Sequence, residues 1–256
     1  MTTGASRRLT RRRLLGGLAA AGAAGAGAAA APPPRAWAGG FKGLGEALSY
    51  RAHRLLAPDA LAREYAPDQI SPVFQTNGST SGTRPDWLGA AQTGFADWAL
   101  AVDGAVRVPR AFPLAELRAM PARTQITRHD CVEGWSAIGQ WTGVPLSAVL
   151  DAAGLLAEAR YIVFWCADVI GGLRYYESID LVDAFHPQTI LAYGMNGAAL
   201  PIAHGAPLRL RVERQLGYKH AKFVTRIEAV ADLAAVGFGN GGFWEDLAGY
   251  EWYAGV

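Results

Sequence analysis

The pattern of apolar positions first becomes strand-like at Trp98-Ala99-Leu100-Ala101-Val102, where large and small apolar residues alternate. After Asp103-Gly104 this run is answered by Val106-Arg107-Val108-Pro109, and the two read as a β-hairpin. Residues 114–120 read as a short helix, and residues 124–129 as a strand leading into Cys131. A second helix is expected over 144–153, ended by Gly154, because glycine commonly closes a helix C-terminus. The unbroken apolar run 161–166 has the composition of a buried strand, and further strands are expected at 175–179, 190–194, 208–212 and 223–230.

Around this middle the pattern changes. Residues 39–70 read as a polar, Arg- and Glu-bearing lead with helical spacing at Ala60-Leu61-Ala62-Arg63-Glu64, peripheral to the core. Residues 71–94 hold Ser, Thr, Gly, Asn and Pro around Asn77-Gly78, which is loop chemistry, and a loop of that length usually has a task. No repeat or linker divides 95–231, so the reading is one α+β domain with mixed β-sheets, spanning 71–256 with its tail. In that tail, from residue 237, Phe238, Phe243, Trp244, Tyr250, Trp252 and Tyr253 read as an aromatic wrap over core or a docking surface.

The first 38 residues stand apart. Thr10-Arg11-Arg12-Arg13-Leu14-Leu15 fits a twin-arginine export pattern, and residues 14–31 follow without a charge. Ten Ala, five Gly and three Leu give that stretch the length of a membrane span with weak hydrophobic drive. Pro32-Pro33-Pro34 breaks any helix, and Ala36-Trp37-Ala38 has the small-x-small form of a cleavage site. The expectation is an exported, periplasmic protein starting near Gly39, with an uncleaved anchor or a simple secretory signal as alternatives. Twin-arginine export carries folded proteins, which directs attention to a cofactor.

Composition narrows the rest. In 256 residues, 51% hydrophobic, there is material for a sizeable core, and 31 Gly, 14 Pro and 26 aromatics argue for strands and turns rather than a helical bundle. The formal charge is +2, but six Arg and no acid lie in the first 38 residues, leaving 18 basic against 22 acidic groups, a net of −4. That surface gives no electrostatic case for nucleic acid.

Two cysteines in an exported chain allow a disulfide. Alternatively Cys131, where a strand gives way to small and polar residues, faces a cofactor, since a thiolate suits soft, high-valent metals and must be occupied or buried in an oxidising compartment. No His or Met follows Cys131 at blue-copper spacing, and His129 is the only near partner for zinc. Gly134-Trp135-Ser136-Ala137-Ile138-Gly139 is one residue too long for a hydrolase elbow, and no Gly-rich nucleotide loop follows a strand. In the C-terminal third, His204-Gly205-Ala206-Pro207-Leu208-Arg209 and Gly217-Tyr218-Lys219-His220-Ala221-Lys222 offer a guanidinium fork, two point charges and backbone amides for an anion, or else form a solvated basic edge.

Taken in order, Cys131-Val132-Glu133-Gly134-Trp135-Ser136, Gly143-Val144-Pro145-Leu146, His186-Pro187, Leu191-Ala192-Tyr193-Gly194-Met195-Asn196-Gly197, Leu200-Pro201, His204 to Arg209 and Gly217-Tyr218-Lys219 resemble the sulfite oxidase family of molybdopterin enzymes. The resemblance covers about residues 71–231, and the Cys-Val-Glu-x-Trp-Ser run is nearest the branch of periplasmic methionine sulfoxide reductase catalytic subunits. It implies the sulfite oxidase-type molybdopterin-binding fold and one molybdenum held by one pyranopterin and by the Cys131 thiolate. It further implies pterin and phosphate contacts at Asn77, Thr80, Ser81, Cys166, His204, Arg209, Lys219, His220, Ala221 and Lys222.

Thr80 and Ser81 replace an aromatic-acidic pair of that branch. The implied activity is two-electron oxygen-atom transfer on a small-molecule substrate, in the direction of sulfoxide reduction, by a monomer fed by a membrane haem or quinone-linked donor. Two alternatives stand beside it: sulfite oxidation with a cytochrome acceptor, and a metal-free binding module with a Cys131–Cys166 disulfide. Glu133 and His129 are candidates for positioning roles near the metal.

Overall fold

A strand whose two faces are both covered reads as a continuous apolar run, and the run beginning at Tyr161 becomes an interior strand of the first of two sheets. That sheet contains β1 (Ala99–Gly104), β2 (Arg110–Pro113), β5 (Tyr161–Ile170), β6 (Leu173–Asp180) and β10 (Val224–Val230), in the order β2-β1-β10-β5-β6. It is mixed: β1 runs parallel to β10, and every other pair is antiparallel. The second sheet is antiparallel, with β3 (Arg123–Asp130), β4 (Ser136–Pro145), β7 (Ile190–Met195) and β8 (Ala198–Ala199) in that order, and β9 (Arg209–Arg211) also pairing with β7. This computed structural model describes residues 40–256; the twin-arginine motif and Ala38 lie outside the described residues.

α2 (Pro85–Gln92) precedes β1, and α3 (Leu114–Ala119) and α4 (Leu146–Ala153) lie between strands. In α4 the positions Leu146, Val149, Leu150 and Ala153 are all buried, an i, i+3, i+4, i+7 stripe facing the core, and Gly154 ends the helix at φ +70°. A single turn, α5 (Leu181–Ala184), and a tail helix, α6 (Phe243–Ala248), complete the helices after the N-terminal one, α1 (Gly40–Leu56).

The structure departs from the sequence expectations in five places, the first being that the expected loop 71–94 contains the helix α2. The hairpin exists, but its second strand is at 110–113. The segment expected to pair, 106–109, instead hangs on the end of α4 through Arg107 N to Gly154 O (2.7 Å) and Val108 N to Ala153 O (3.0 Å). The helix expected from residue 144 starts two residues later, because Val144 and Pro145 finish β4. β4 itself was not anticipated; its Gly143 passes so close to β7 that a Cβ there would lie 2.2 Å from Leu191 O.

The lead, finally, is helical over 40–56 rather than 60–64, and it is not peripheral. Arg54 reaches Asp180 (3.0 Å) and Asp183 (2.6 Å) with all three side chains buried, while Tyr50 donates to Asp180 (2.6 Å). Residue 64 bridges Thr127 in extended form. Among the described residues no helix is long and apolar enough to cross a membrane.

Candidate active site

Three connections meet at one cavity of about 190 Å³. The first is the turn between β3 and β4. Cys131 N donates to Trp135 O (2.9 Å) and Gly134, at φ +88°, returns its N–H to Cys131 O (3.1 Å), so the turn presents a half-buried thiol. Glu133 is fixed from both sides, accepting from Trp135 Nε1 (2.9 Å) and from Gly78 N (3.4 Å). Burial pushes the Cys131 thiol up, the backbone N–H of Glu133 opposes this, and the Glu133 carboxylate adds to the rise.

The second connection is the loop at 77–79, and the third is the crossing from β9 to β10. Lys222 joins them: its ammonium donates to the carbonyls of Asn77 (2.6 Å), Ser79 and Ala203 (3.2 Å). Gly205, at φ +111°, lies against the Lys222 and Arg209 stems, where a Cβ would come within 3.0 and 3.1 Å. Arg209 is fully buried, donates to His204 O (3.0 Å) and His220 O (3.5 Å), and lies 4.8 Å over the Trp141 ring. Neither Lys222 nor Arg209 has a carboxylate partner among the described contacts. Burial, then the neighbouring Arg209, lowers Lys222 to about 7; burial and Arg211 lower Arg209.

The histidines around these cations are neutral. Burial, then Arg209, brings His204 to about 4; burial, then Arg211, lowers both His129 and His220. Arg211 can only donate, so His129 Nδ1 accepts from it (3.0 Å) and the ring proton is on Nε2. Gly217 is required beside it, since a Cβ there would lie 2.5 Å from His129 Nε2. His220 donates from Nε2 to Gln215 O (3.0 Å), which leaves Nδ1 a bare acceptor. Asn77 Oδ1, Asp168 Oδ1, His129 Nε2, His204 Nδ1, His220 Nδ1 and Arg209 Nε are all buried without a hydrogen-bond partner. Native interiors rarely tolerate such a concentration unless a ligand answers it.

Of the residues singled out from sequence, Asn77, Cys131, His220 and Lys222 line the cavity, with His204 and Arg209 tied to its wall. Cys166 is buried within β5 and is not joined to Cys131, which removes the disulfide of the metal-free alternative. Ala221 uses its carbonyl to hold Leu210 N (2.8 Å). Thr80 is exposed and Ser81 spends its hydroxyl on Gly82 O, so neither faces the cavity. Lys219 is corrected outright: it is turned into the interior and ion-paired to Glu177 and Glu245 (2.6 Å), so it offers no charge to an anion in the cavity.

Sequence reasoning missed Ser79, Asp168, Ile170, Tyr175, Tyr218 and two tail residues, Trp244 and Tyr250. Asp168 carried a signal, a lone acid inside an apolar strand run, which needs a buried partner and has one in Ser79.

Residues 88–235 match the family described as oxidoreductase molybdopterin binding domain. The chain is 38% identical over 198 residues to a putative protein-methionine-sulfoxide reductase subunit, YedZ1, of Azospira oryzae, covering 75% of this chain and 70% of that one. It is 36% identical to the protein-methionine-sulfoxide reductase catalytic subunit MsrP of Xanthomonas campestris, covering 60% of this chain and half of that one. Among solved structures it is similar to the sulfane dehydrogenase SoxCD of Paracoccus pantotrophus, with a TM-score of 0.49 and 25% identity over 54% of this chain and 39% of that one.

Proposed function

Since the chain belongs to the oxidoreductase molybdopterin-binding domain family, we propose that it is an exported molybdenum enzyme that reduces a small neutral sulfoxide to the sulfide and water, taking up two electrons and two protons. The carrying observation is the mixed chemistry of the cavity's lining. The Cys131 thiol and the Lys222 ammonium, which has no carboxylate in direct contact, share one lining with aromatic rings and the carboxylates of Glu133 and Asp168, and buried Arg209 stands behind that wall.

The residues present fit a pyranopterin-held molybdenum. Lys222 and Arg209 supply buried positive charge for a phosphate, and Asn77, His204 and His220 supply unsatisfied polar atoms for a pterin edge. Cys131 supplies a soft anionic ligand once deprotonated, its raised thiol pKa being the cost that a metal removes. The bound group supplies the oxygen-atom and two-electron chemistry. Around it the chain's work is to orient: Lys222 fixes the 77–79 loop, Glu133 holds that loop to the Cys131 turn, and the histidines stay uncharged near the cations.

An anionic substrate is disfavoured by the lining. Arg128, the one Arg beside Cys131, is exposed and bound to Asp130 (2.9 Å), and Glu133 and Asp168 would repel sulfite. The names of the two relatives support the sulfoxide direction. Export by the twin-arginine route to the periplasm, work as a monomer and a membrane haem or quinone-linked electron donor complete the reading.

The test is molybdenum content by elemental mass spectrometry, with Cys131→Ser alongside, from a host that makes the cofactor. Wild type is expected to carry about one metal per chain and to reduce dimethyl sulfoxide with a viologen donor, and the variant to lose at least about tenfold in metal or activity. Folded wild type without molybdenum ends the proposal.

A further inference from the structure

The family match stops at residue 235, but the cavity does not: Trp244 and Tyr250 line it from the tail. Trp244 stands on α6. Gly249, at φ +68°, ends that helix and turns the chain so that Tyr250 N donates to Trp244 O (3.3 Å). The two rings lie 6.0 Å apart at 29°, and Tyr218 meets Tyr250 edge-on at 5.0 Å. Three adjoining aromatic rings therefore share one cavity with Cys131, and Tyr250 and Val132 carry its lining out to solvent.

The neighbours of Trp244 are each held in place. Phe243 stacks on Tyr175 (5.2 Å, 29°) and meets the Trp244 ring edge-on (5.2 Å, 88°). Glu245 takes the buried ammonium of Lys219 (2.6 Å) together with Glu177. Asp246 accepts from Phe238 N (2.8 Å), Asn240 N (2.9 Å), Asn240 Nδ2 (2.8 Å) and the Tyr176 hydroxyl. Gly242 could carry no side chain, since a Cβ would lie 2.1 Å from Glu177 Oε1. Anchors on both sides of one tryptophan hold it at the cavity, which is how a selecting wall is built on a short segment.

We propose that Trp244 and Tyr250 of the tail, with Tyr218, form the substrate-selecting wall of this enzyme and receive the apolar arm of a neutral sulfoxide whose oxygen is directed toward Cys131. This rests on the sulfoxide reading above. Aromatic faces and edges attract sulfur and C–H groups, and three adjoining rings reward an arm with apolar area. The nearby carboxylates of Glu133 and Asp168 exclude a negatively charged arm.

The experiment compares two substrates on the metal-loaded enzyme: methyl phenyl sulfoxide, which has an apolar arm, and dimethyl sulfoxide, which has almost none. The readout is the ratio of their kcat/KM values, with molybdenum content measured in every variant. In Trp244→Ala and Tyr250→Ala the ratio is expected to fall about fivefold, mainly through KM for the aryl substrate. Leu247→Ala, on the exposed side of α6, is expected to keep the wild-type ratio. Tyr250 is already 38% exposed, so its truncation tests the wall even if Trp244→Ala fails to fold.

An unchanged ratio in both tail variants overturns the wall and leaves the sulfoxide reading intact. Failure of metal-loaded wild type to reduce either sulfoxide overturns the reading on which the wall rests.

Discussion

Lys219 and Lys222 are three residues apart on the same crossing between the sheets, both buried, and their surroundings are opposite. Lys219 points into the tail anchor, where Glu177 and Glu245 flank it. Burial opposes its charge, yet the two carboxylates outweigh burial and hold its pKa above the ordinary value. Lys222 points into the cavity wall, where its direct partners are carbonyl oxygens; burial and then Arg209 bring its pKa down to about 7, and Asp168 and Glu133 offset this only in part. A charge that folding has answered with carboxylates in direct contact is structure; a buried charge whose direct partners are carbonyl dipoles, with Asp168 and Glu133 acting only from farther off, is a place for an anion. The tail supplies Glu245 to Lys219, and the same segment brings Trp244 and Tyr250 to the cavity that Lys222 lines.

The largest effect is expected from breaking the answered side. Lys219→Met leaves two carboxylates in an interior where neither can be hydrated, which costs about 3–5 kcal/mol. A denaturant titration at pH 7 measures it. Adding Glu177→Gln and Glu245→Gln to the same chain is expected to return most of the loss, because the penalty belongs to the unpaired charges rather than to the missing side chain. A triple variant no more stable than Lys219→Met contradicts the account.

Breaking the unanswered side should do the reverse: Lys222→Met is expected to leave cofactor-free stability at pH 7 within about 1 kcal/mol and to lower molybdenum content at least about tenfold. It should also change a slope. With its folded pKa depressed, Lys222 contributes stability that is fully present above its unfolded value and is lost as pH falls through about 7. Cofactor-free wild type should therefore gain stability relative to Lys222→Met between about pH 7 and pH 10, by at most about 1.4 kcal/mol per pH unit. Pyrophosphate, which answers the charge, is expected to flatten that difference. Parallel pH–stability curves for the two proteins would mean that the ammonium is already satisfied.

The sequence carried these two regions unequally. Runs of apolar residues located most strands, and the chemistry at Asn77, Cys131, His220 and Lys222 was legible because a motif in linear order marks it. What was not legible depends on contacts far apart in sequence. β4 reads as loop because Gly139 and Gly143 dilute its apolar pattern, although Gly143 is demanded by the approach of β7. β5 extends past Cys166 to Ile170, where Asp168 interrupts the run that defined it. The two lysines look alike in sequence, and it is Glu177 and Glu245, both far away in the chain, that send Lys219 inward. Trp244 and Tyr250 registered as aromatic density, but their place at the cavity is set by the same anchor.

The smallest effect sharpens the comparison at the loop over the unanswered lysine. Thr80 and Ser81 match the family's spacing for cofactor contacts, yet Thr80 is exposed and the Ser81 hydroxyl is bound locally to Gly82 O. What Lys222 grips is the backbone of Asn77 and Ser79, which no side-chain truncation at 80 or 81 removes. Thr80→Ala and Ser81→Ala are therefore expected to change stability by under about 0.5 kcal/mol and metal content by less than about twofold, whereas Asn77→Ala, which deletes an unsatisfied buried oxygen beside the thiol, lowers metal content by about tenfold. Elemental analysis of the three purified variants decides it. A tenfold loss in Thr80→Ala or Ser81→Ala would mean that the loop rearranges around the cofactor and that the orphaned atoms described above are not the ones it takes up.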